Sequence, residues 1–246
     1  MKLEICIHCY HYQHRLNWML NSILQQKGEI PDIEVSISYM PNDGIPTTEK
    51  IIEFFREKGL KILDILLTKE QVANRAVARN IRLKDTQADW ILFADGDLVY
   101  AQDFFANLKK KLESDTFKNE TRAIGADRSS LKDDFCIKYF EEDKREYPCI
   151  IDNVESIAKE FPNKHTRGGP ICAGYFQLAN VKSVRERNIV YCGRSRDHLR
   201  NTKGDREFRI RMGGRVGVNE VTDKENGSML RQYHLNHDRS GPEIQR

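Results

Sequence analysis

Residues 90–97 read Trp-Ile-Leu-Phe-Ala-Asp-Gly-Asp, an apolar run that stops abruptly at two carboxylates separated by one glycine. A short continuous apolar run bounded by turn residues is the pattern of a fully buried strand. Such a strand needs cover on both faces, which selects layered α/β architectures. The preceding residues supply the cover. Leu3–Cys9, Ile33–Tyr39 and Leu60–Leu67 read as three further strands, and Leu16–Gln26, Thr48–Lys58, Glu70–Thr86 and Ala101–Glu113 as the helices between and after them. The helix over 16–26 sets Leu16, Met19, Leu20, Ile23 and Leu24 on one face, and Pro41-Asn42-Asp43-Gly44 ends the second strand as a turn. Strand–helix alternation at this spacing predicts a mostly parallel sheet with helices on both faces.

The second half is less regular. Ala123–Ala126 and Pro170–Leu178 read as strands, Val154–Phe161 and Arg206–Met212 as short helices, and residues 133–161 as otherwise irregular. From Gly217 the chain is polar and reads as a cover over a site. There is no internal repeat and no linker, so residues 1–246 are expected to form one domain, with residues 1–100 as a nucleotide-binding half. At 246 residues, 31% charged and 39% hydrophobic, the chain can bury a core of its own. No apolar run approaches the ~20 residues that span a bilayer. The N-terminus, interrupted by Glu4 and several histidines, does not read as a signal peptide. The six cysteines lie among apolar neighbours, as reduced core thiols do. A cytoplasmic protein is expected, free or peripheral to the inner membrane face.

In an open parallel sheet, ligands bind beyond the carboxyl ends of the strands. Asp95 and Asp97 stand at such an end, close enough to repel each other unless a cation intervenes. Hard Mg²⁺ or Mn²⁺ suits that role, because it takes oxygen ligands and keeps positions open for phosphates. Gly96 is expected where backbone and ligand come close. Asp and Gly are also ordinary turn formers, so the motif by itself does not decide the question.

Several segments bear on it in combination. ARNIRLKDTQADWILFADGDLV resembles the A-R-N…D-x-D run of GT-A glycosyltransferases, especially inverting family 2 and its galactosyl- and N-acetylgalactosaminyltransferase relatives. ICIHCYHYQHRLNWMLNSILQQ is similar to their first strand and helix, and GGPICAGYFQLANV to the segment lining the donor-sugar and acceptor site. GDREFRIRMGG resembles their E-D-x-E-F-x-x-R motif, and YHLNHDRSG the late histidine segment.

The resemblance implies a role for each matching residue. Asp97 would hold the metal, with Asp95 on the ribose or a metal-bound water. His234 or His237 would complete the site; in an extended strand these two face opposite ways, so one of them is expected to bind, and His237 is the favoured one. Asp205 takes the place of the base that deprotonates the acceptor hydroxyl during inversion, with Asp197 as its rival. The alternative for Asp205 is a plain N-cap residue. Tyr10 is placed to stack on the nucleotide base, Asp43 to address its uracil edge, and Arg79 to reach the diphosphate or the base. Gly169, Gly174, Asp197 and Glu207 fall in the acceptor-side motifs, Glu207 with a structural role through backbone or Arg211. The chain departs from the family at Gly204, where a Glu is usual, and at His11, where an Asn is usual. The implied partners are a nucleotide sugar, with UDP favoured, and a glycan or other hydroxyl acceptor.

Other readings stay open at this point. Between Arg185 and Arg215 there are ten Lys or Arg against four Asp or Glu. That segment reads as a solvated face, an anion site, or a nucleic-acid contact such as a DNA-base glycosyltransferase would need. A metal-dependent nucleotidyltransferase would also explain Asp95 and Asp97, though not the later motifs. Cys6 and Cys9 are not a zinc half-site, since strand residues three apart face opposite ways and no second pair follows. The histidines at 8, 11 and 14 have no evident carboxylate partner.

Overall fold

The computed structural model describes residues 1–126, 129–131, 133–142, 145–161, 176–191, 202–217, 230 and 232–235. The first half alternates as expected: β1 (Lys2–His8), α1 (Gln13–Leu24), β2 (Asp32–Tyr39), α2 (Thr48–Glu57) and β3 (Ile62–Leu66). Then come α3 (Lys69–Val72), α4 (Arg75–Asp85), β4 (Trp90–Asp95), β5 (Leu98–Tyr100) and α5 (Phe104–Glu113). The helix expected over 70–86 is therefore two. Asn74 divides them, because its side-chain oxygen accepts from the Ala76 N–H at 3.1 Å and caps α4. Later elements are β6 (Ala123–Gly125), β7 (Ser129–Ser130), α6 (Asp133–Cys136), which runs into a π turn, α7 (Val154–Glu160), β8 (Phe176–Asn180), α8 (Val181–Glu186), α9 (Thr202–Arg211), β9 (Arg215–Gly217) and β10 (Gln232–His234).

Seven strands form the main sheet in the order β3-β2-β1-β4-β8-β6-β9. All neighbours run parallel except at β8, which is antiparallel to both β4 and β6. The two-residue alternation of a strand sorts the core into two layers. Leu3, Ile5 and Ile7 of β1 and Trp90, Leu92 and Ala94 of β4 pack with α1, α2 and α5. Cys6, Ile91 and Phe93 face the other way, onto Ala76 and Leu83 of α4, Val184 of α8, and Phe208 and Met212 beside α9. Helices thus cover both faces. Cys6 and Cys9 lie in different layers, as strand alternation requires, and burial pushes both thiols up to about 12.

A second, three-stranded sheet, β5-β10-β7, begins where the motif ends. It borders a core of Trp18, Val99, Phe135, Tyr139, Ile151 and Val154 that organises the charged stretch expected to be irregular. Asn17 and Asn21, on the polar side of α1, hold that stretch. Asn17 Nδ2 and Asn21 Nδ2 donate to Cys149 O at 3.1 and 3.0 Å, while Cys149 N and Ile151 N donate back to Asn17 Oδ1 and Asn21 Oδ1. Among the described residues no helix is long and apolar enough to cross a membrane.

Candidate functional site

Strand register puts Ser38, His8 and Asp95 side by side at the carboxyl ends of β2, β1 and β4. They project to the face that α4 covers. Arg75, Arg79 and Arg82 lie at helical spacing along one side of α4, and each meets a carboxylate from a different element. Arg75 Nη1 contacts Asp95 Oδ1 at 3.1 Å, Arg79 Nη1 contacts Asp205 Oδ1 at 2.5 Å, and Arg82 grips both oxygens of Glu4 at 2.6 and 2.9 Å. Glu4 also accepts from Ser36 Oγ at 2.6 Å. The sequence reading assigned no role to Arg75, Arg82 or Glu4; their spacing on a charged helix looks like that of solvent-facing residues.

Asp97 lies two residues beyond the end of β4 and is buried. Its carbonyl accepts from Leu235 N at 2.8 Å, and β10 pairs antiparallel with β5 so that His234 lies opposite Leu98. This pairing brings His234 Nε2 to 3.2 Å from Asp97 Oδ2. His237, favoured from sequence as the metal ligand, lies outside the described residues, as do Gly169, Gly174 and Asp197. Two cis ligands bound at the ~2.1 Å of an octahedral Mg²⁺ sit about 3 Å apart, close to the Asp97–His234 separation. The donor set therefore fits one cation that takes its other ligands from water and phosphate. Among the described residues no three His, Cys, Asp or Glu side chains converge as a complete cage. Asp95 is turned to Arg75 instead. A side chain at position 96 would meet Ile7 Cγ2 at 3.4 Å, so protein packing does not require the glycine.

Asp43 lies in the turn after β2 and is 2% exposed. Its Oδ1 accepts from Thr48 Oγ1 at 2.8 Å and its carbonyl from Gln13 Nε2 at 2.9 Å, while Oδ2 is buried with no hydrogen-bond partner among the described residues. Asn42 and Gly44 both have left-handed backbone, and a Cβ at Gly44 would fall 2.6 Å from the Gln13 side chain, so glycine is needed to aim this turn. Tyr10 packs, partly buried, beside Leu67, Val72 and Ala78, with its ring 4.0 Å from that of His11. His8 accepts or donates at Ser38 Oγ over 3.1 Å. Burial, with Arg75 and Arg79 nearby, pushes its imidazole down to about 4, so it is neutral at physiological pH.

Asp205 is in the first turn of α9, not at its cap, because the helix begins at Thr202. Arg79, expected at the diphosphate or the base, is buried and directed at Asp205 and Tyr191. The half-exposed cation next to Asp95 is Arg75. Glu207 is exposed, and no contact with Arg211 forms. Three arginines of the basic segment are internal latches: Arg185 donates to Thr86 O, Arg187 to Met212 O at 2.8 Å, and Arg209 to Asp205 O at 3.3 Å.

Residues 4–124 match the sequence model of glycosyl transferase family 2. The whole chain resembles solved glycosyltransferases in fold. Crystal structures of S. aureus TarS residues 1–349, free and in complex with UDP-GlcNAc, superpose with a TM-score of 0.61 at 13% identity. They cover 96% and 97% of this chain, and 60% and 59% of theirs is matched. The mannosyltransferase PcManGT from Pyrobaculum calidifontis, in complex with GDP-Man and Mn²⁺, gives a TM-score of 0.60 at 12% identity, over 97% of this chain and 58% of its own. This chain thus spans about three-fifths of the length of these structures. No curated protein matches the sequence. The family 2 match spans residues 4–124, and the chain has the GT-A fold of these structures.

Proposed function

We propose that this GT-A chain, acting as a single domain, transfers a sugar from a nucleotide-diphosphate donor to a hydroxyl of a glycan acceptor, with inversion at the anomeric carbon. The observation that carries the reading is the Asp97–His234 pair, held at the carboxyl end of the sheet by the β5–β10 pairing. These two residues would hold Mn²⁺ or Mg²⁺, which when bound neutralises the departing diphosphate. Arg75, half-exposed and 3.1 Å from Asp95, is the protein's own cation at that position. Asp43 would read the base: its buried Oδ2 is an acceptor waiting for an N–H, and the N3–H of uracil suits it. UDP is accordingly the favoured nucleotide, and Tyr10, partly buried beside Leu67 and Val72, would stack on its base.

In the transfer, the acceptor oxygen bonds to the anomeric carbon as the bond from that carbon to the diphosphate oxygen breaks. The acceptor proton passes to the Asp205 carboxylate. Calorimetric titration of the chain with UDP, GDP and ADP, each with and without Mn²⁺, tests the reading. Metal-dependent binding of UDP is expected, and release of UDP from a UDP-sugar follows from it. If none of the three nucleotides binds with metal present, the reading is rejected.

A further inference from the structure

Arg79 and Asp205 belong to different halves of the chain, one on the helix preceding the Asp-Gly-Asp strand and the other on α9. They meet at 2.5 Å, with side chains 6% and 19% exposed. Their surroundings are fixed on every side. The Arg79 guanidinium lies 4.7 Å from the ring centroid of Tyr191 and 5.4 Å from that of Phe93. Tyr191 stacks on Phe208 of α9 at 4.4 Å with the planes 11° apart. Asn80, next to Arg79, pins Tyr191 through both backbone groups, donating to its carbonyl at 2.9 Å and accepting from its N–H at 2.7 Å. The Tyr191 hydroxyl donates to Gln177 Oε1, and Gln177 Nε2 donates to Asp205 O at 3.4 Å.

A carboxylate on the first turn of a short helix has rotamer freedom that a base in catalysis must lose. Here Oδ1 is occupied by a guanidinium that cannot move without leaving the two rings, and Oδ2 remains for a hydroxyl proton. We infer that Arg79 is a positioning residue: from the donor-side helix it clamps Asp205 in place as the base, rather than binding the donor diphosphate itself. The inference rests on the transferase reading above.

Among the described residues, Asp95 from β4 and Cys6 from β1 act on Arg79, Tyr191 lies beneath it, Arg209 of α9 donates to the Asp205 carbonyl, and Arg79 contacts the Asp205 carboxylate.

The test compares Arg79→Gln and Arg79→Lys with the unaltered chain, reading UDP affinity with Mn²⁺, kcat and Tm. Arg79→Gln is expected to bind UDP within about threefold of the unaltered chain and to lose roughly 10–100-fold in kcat, and Arg79→Lys should restore much of that kcat. A fall in UDP affinity with kcat retained would make Arg79 a donor ligand and overturn the clamp. A lower Tm with unchanged kcat would reduce it to a packing residue. Should Arg79→Gln fail to fold, Arg79→Lys in an Asp205→Asn background decides: no further loss beyond Asp205→Asn supports the clamp, and an additive loss overturns it. If the unaltered chain binds no nucleotide, the transferase reading falls and the clamp with it. If it binds UDP while Arg79→Gln matches its kcat, the clamp alone falls.

Discussion

His234 Nε2 stands 3.2 Å from Asp97 Oδ2, and a strand pairing, not sequence proximity, brings them together. Asp97→Ala should abolish the metal dependence of UDP binding, and His234→Ala should weaken metal-supported binding by roughly 10–100-fold. Titrations with Mn²⁺ present and absent measure both. His237→Ala is the comparison, and a larger loss there would move the histidine ligand role into the tail.

Asp43 keeps one carboxylate oxygen on Thr48 and the other buried without a partner. Asp43→Asn, with its amide nitrogen placed at that second position, presents a donor where a base N–H needs an acceptor. UDP affinity should fall by about 1–3 kcal/mol, with little change in Tm because the Thr48 contact survives. Calorimetry and thermal melting on the same sample separate the two effects, and unchanged affinity would remove Asp43 from the nucleotide pocket.

Glu4 and Arg82 form a two-point ion pair between the sheet and α4, both side chains under 10% exposed. Glu4→Gln leaves Arg82 buried beside a neutral partner and should cost about 3–5 kcal/mol of stability, read from the urea midpoint. Glu4→Leu combined with Arg82→Met should recover much of that loss, since paired removal leaves no uncompensated charge. A double variant as unstable as the single one would count against this account.

His8 is held near 4, below its ordinary 6.5, so the folded chain disfavours the imidazolium. Between those values the unfolded chain binds more protons. The stability due to neutral His8 is therefore complete above about pH 6.5 and is lost as pH falls toward 4, by up to about 3 kcal/mol. Urea unfolding at pH 7.5 and pH 5 should show the loss in the unaltered chain and a smaller one in His8→Asn. Equal losses in both would assign the acid sensitivity to other groups.

The main sheet was largely legible in the residues. Burial leaves its signature on each strand, and β4 could be read almost to the residue because an apolar run that ends in Asp has few alternatives. The helix over 70–86 was misread as continuous because Asn74 sits well enough inside a helical pattern; its capping role depends on a side-chain geometry that periodicity does not express. The placement of Asp95 and Asp97 at a strand end and of Asp43 in a turn was legible, because an apolar run that stops at carboxylates and a Pro-Asn-Asp-Gly turn are locally conspicuous. Arg75 and Glu4 were not, since a charged residue opposite its partner across a helix–sheet interface looks, in sequence, like one facing water.

The sequence by itself determined the alternation of strands and helices, the two-faced sheet and the position of the Asp-Gly-Asp turn, because those follow from local periodicity and turn chemistry. The tertiary structure decided which charges meet. It drew Arg75, Arg79 and Arg82 of one helix onto Asp95, Asp205 and Glu4 from three other elements, turned the polar side of α1 into a clasp for residues 149–151, and set β10 against β5 so that His234 reaches Asp97. Each of these contacts joins residues distant in the chain, and its stability depends on desolvation and partner geometry that exist only once the layers have packed.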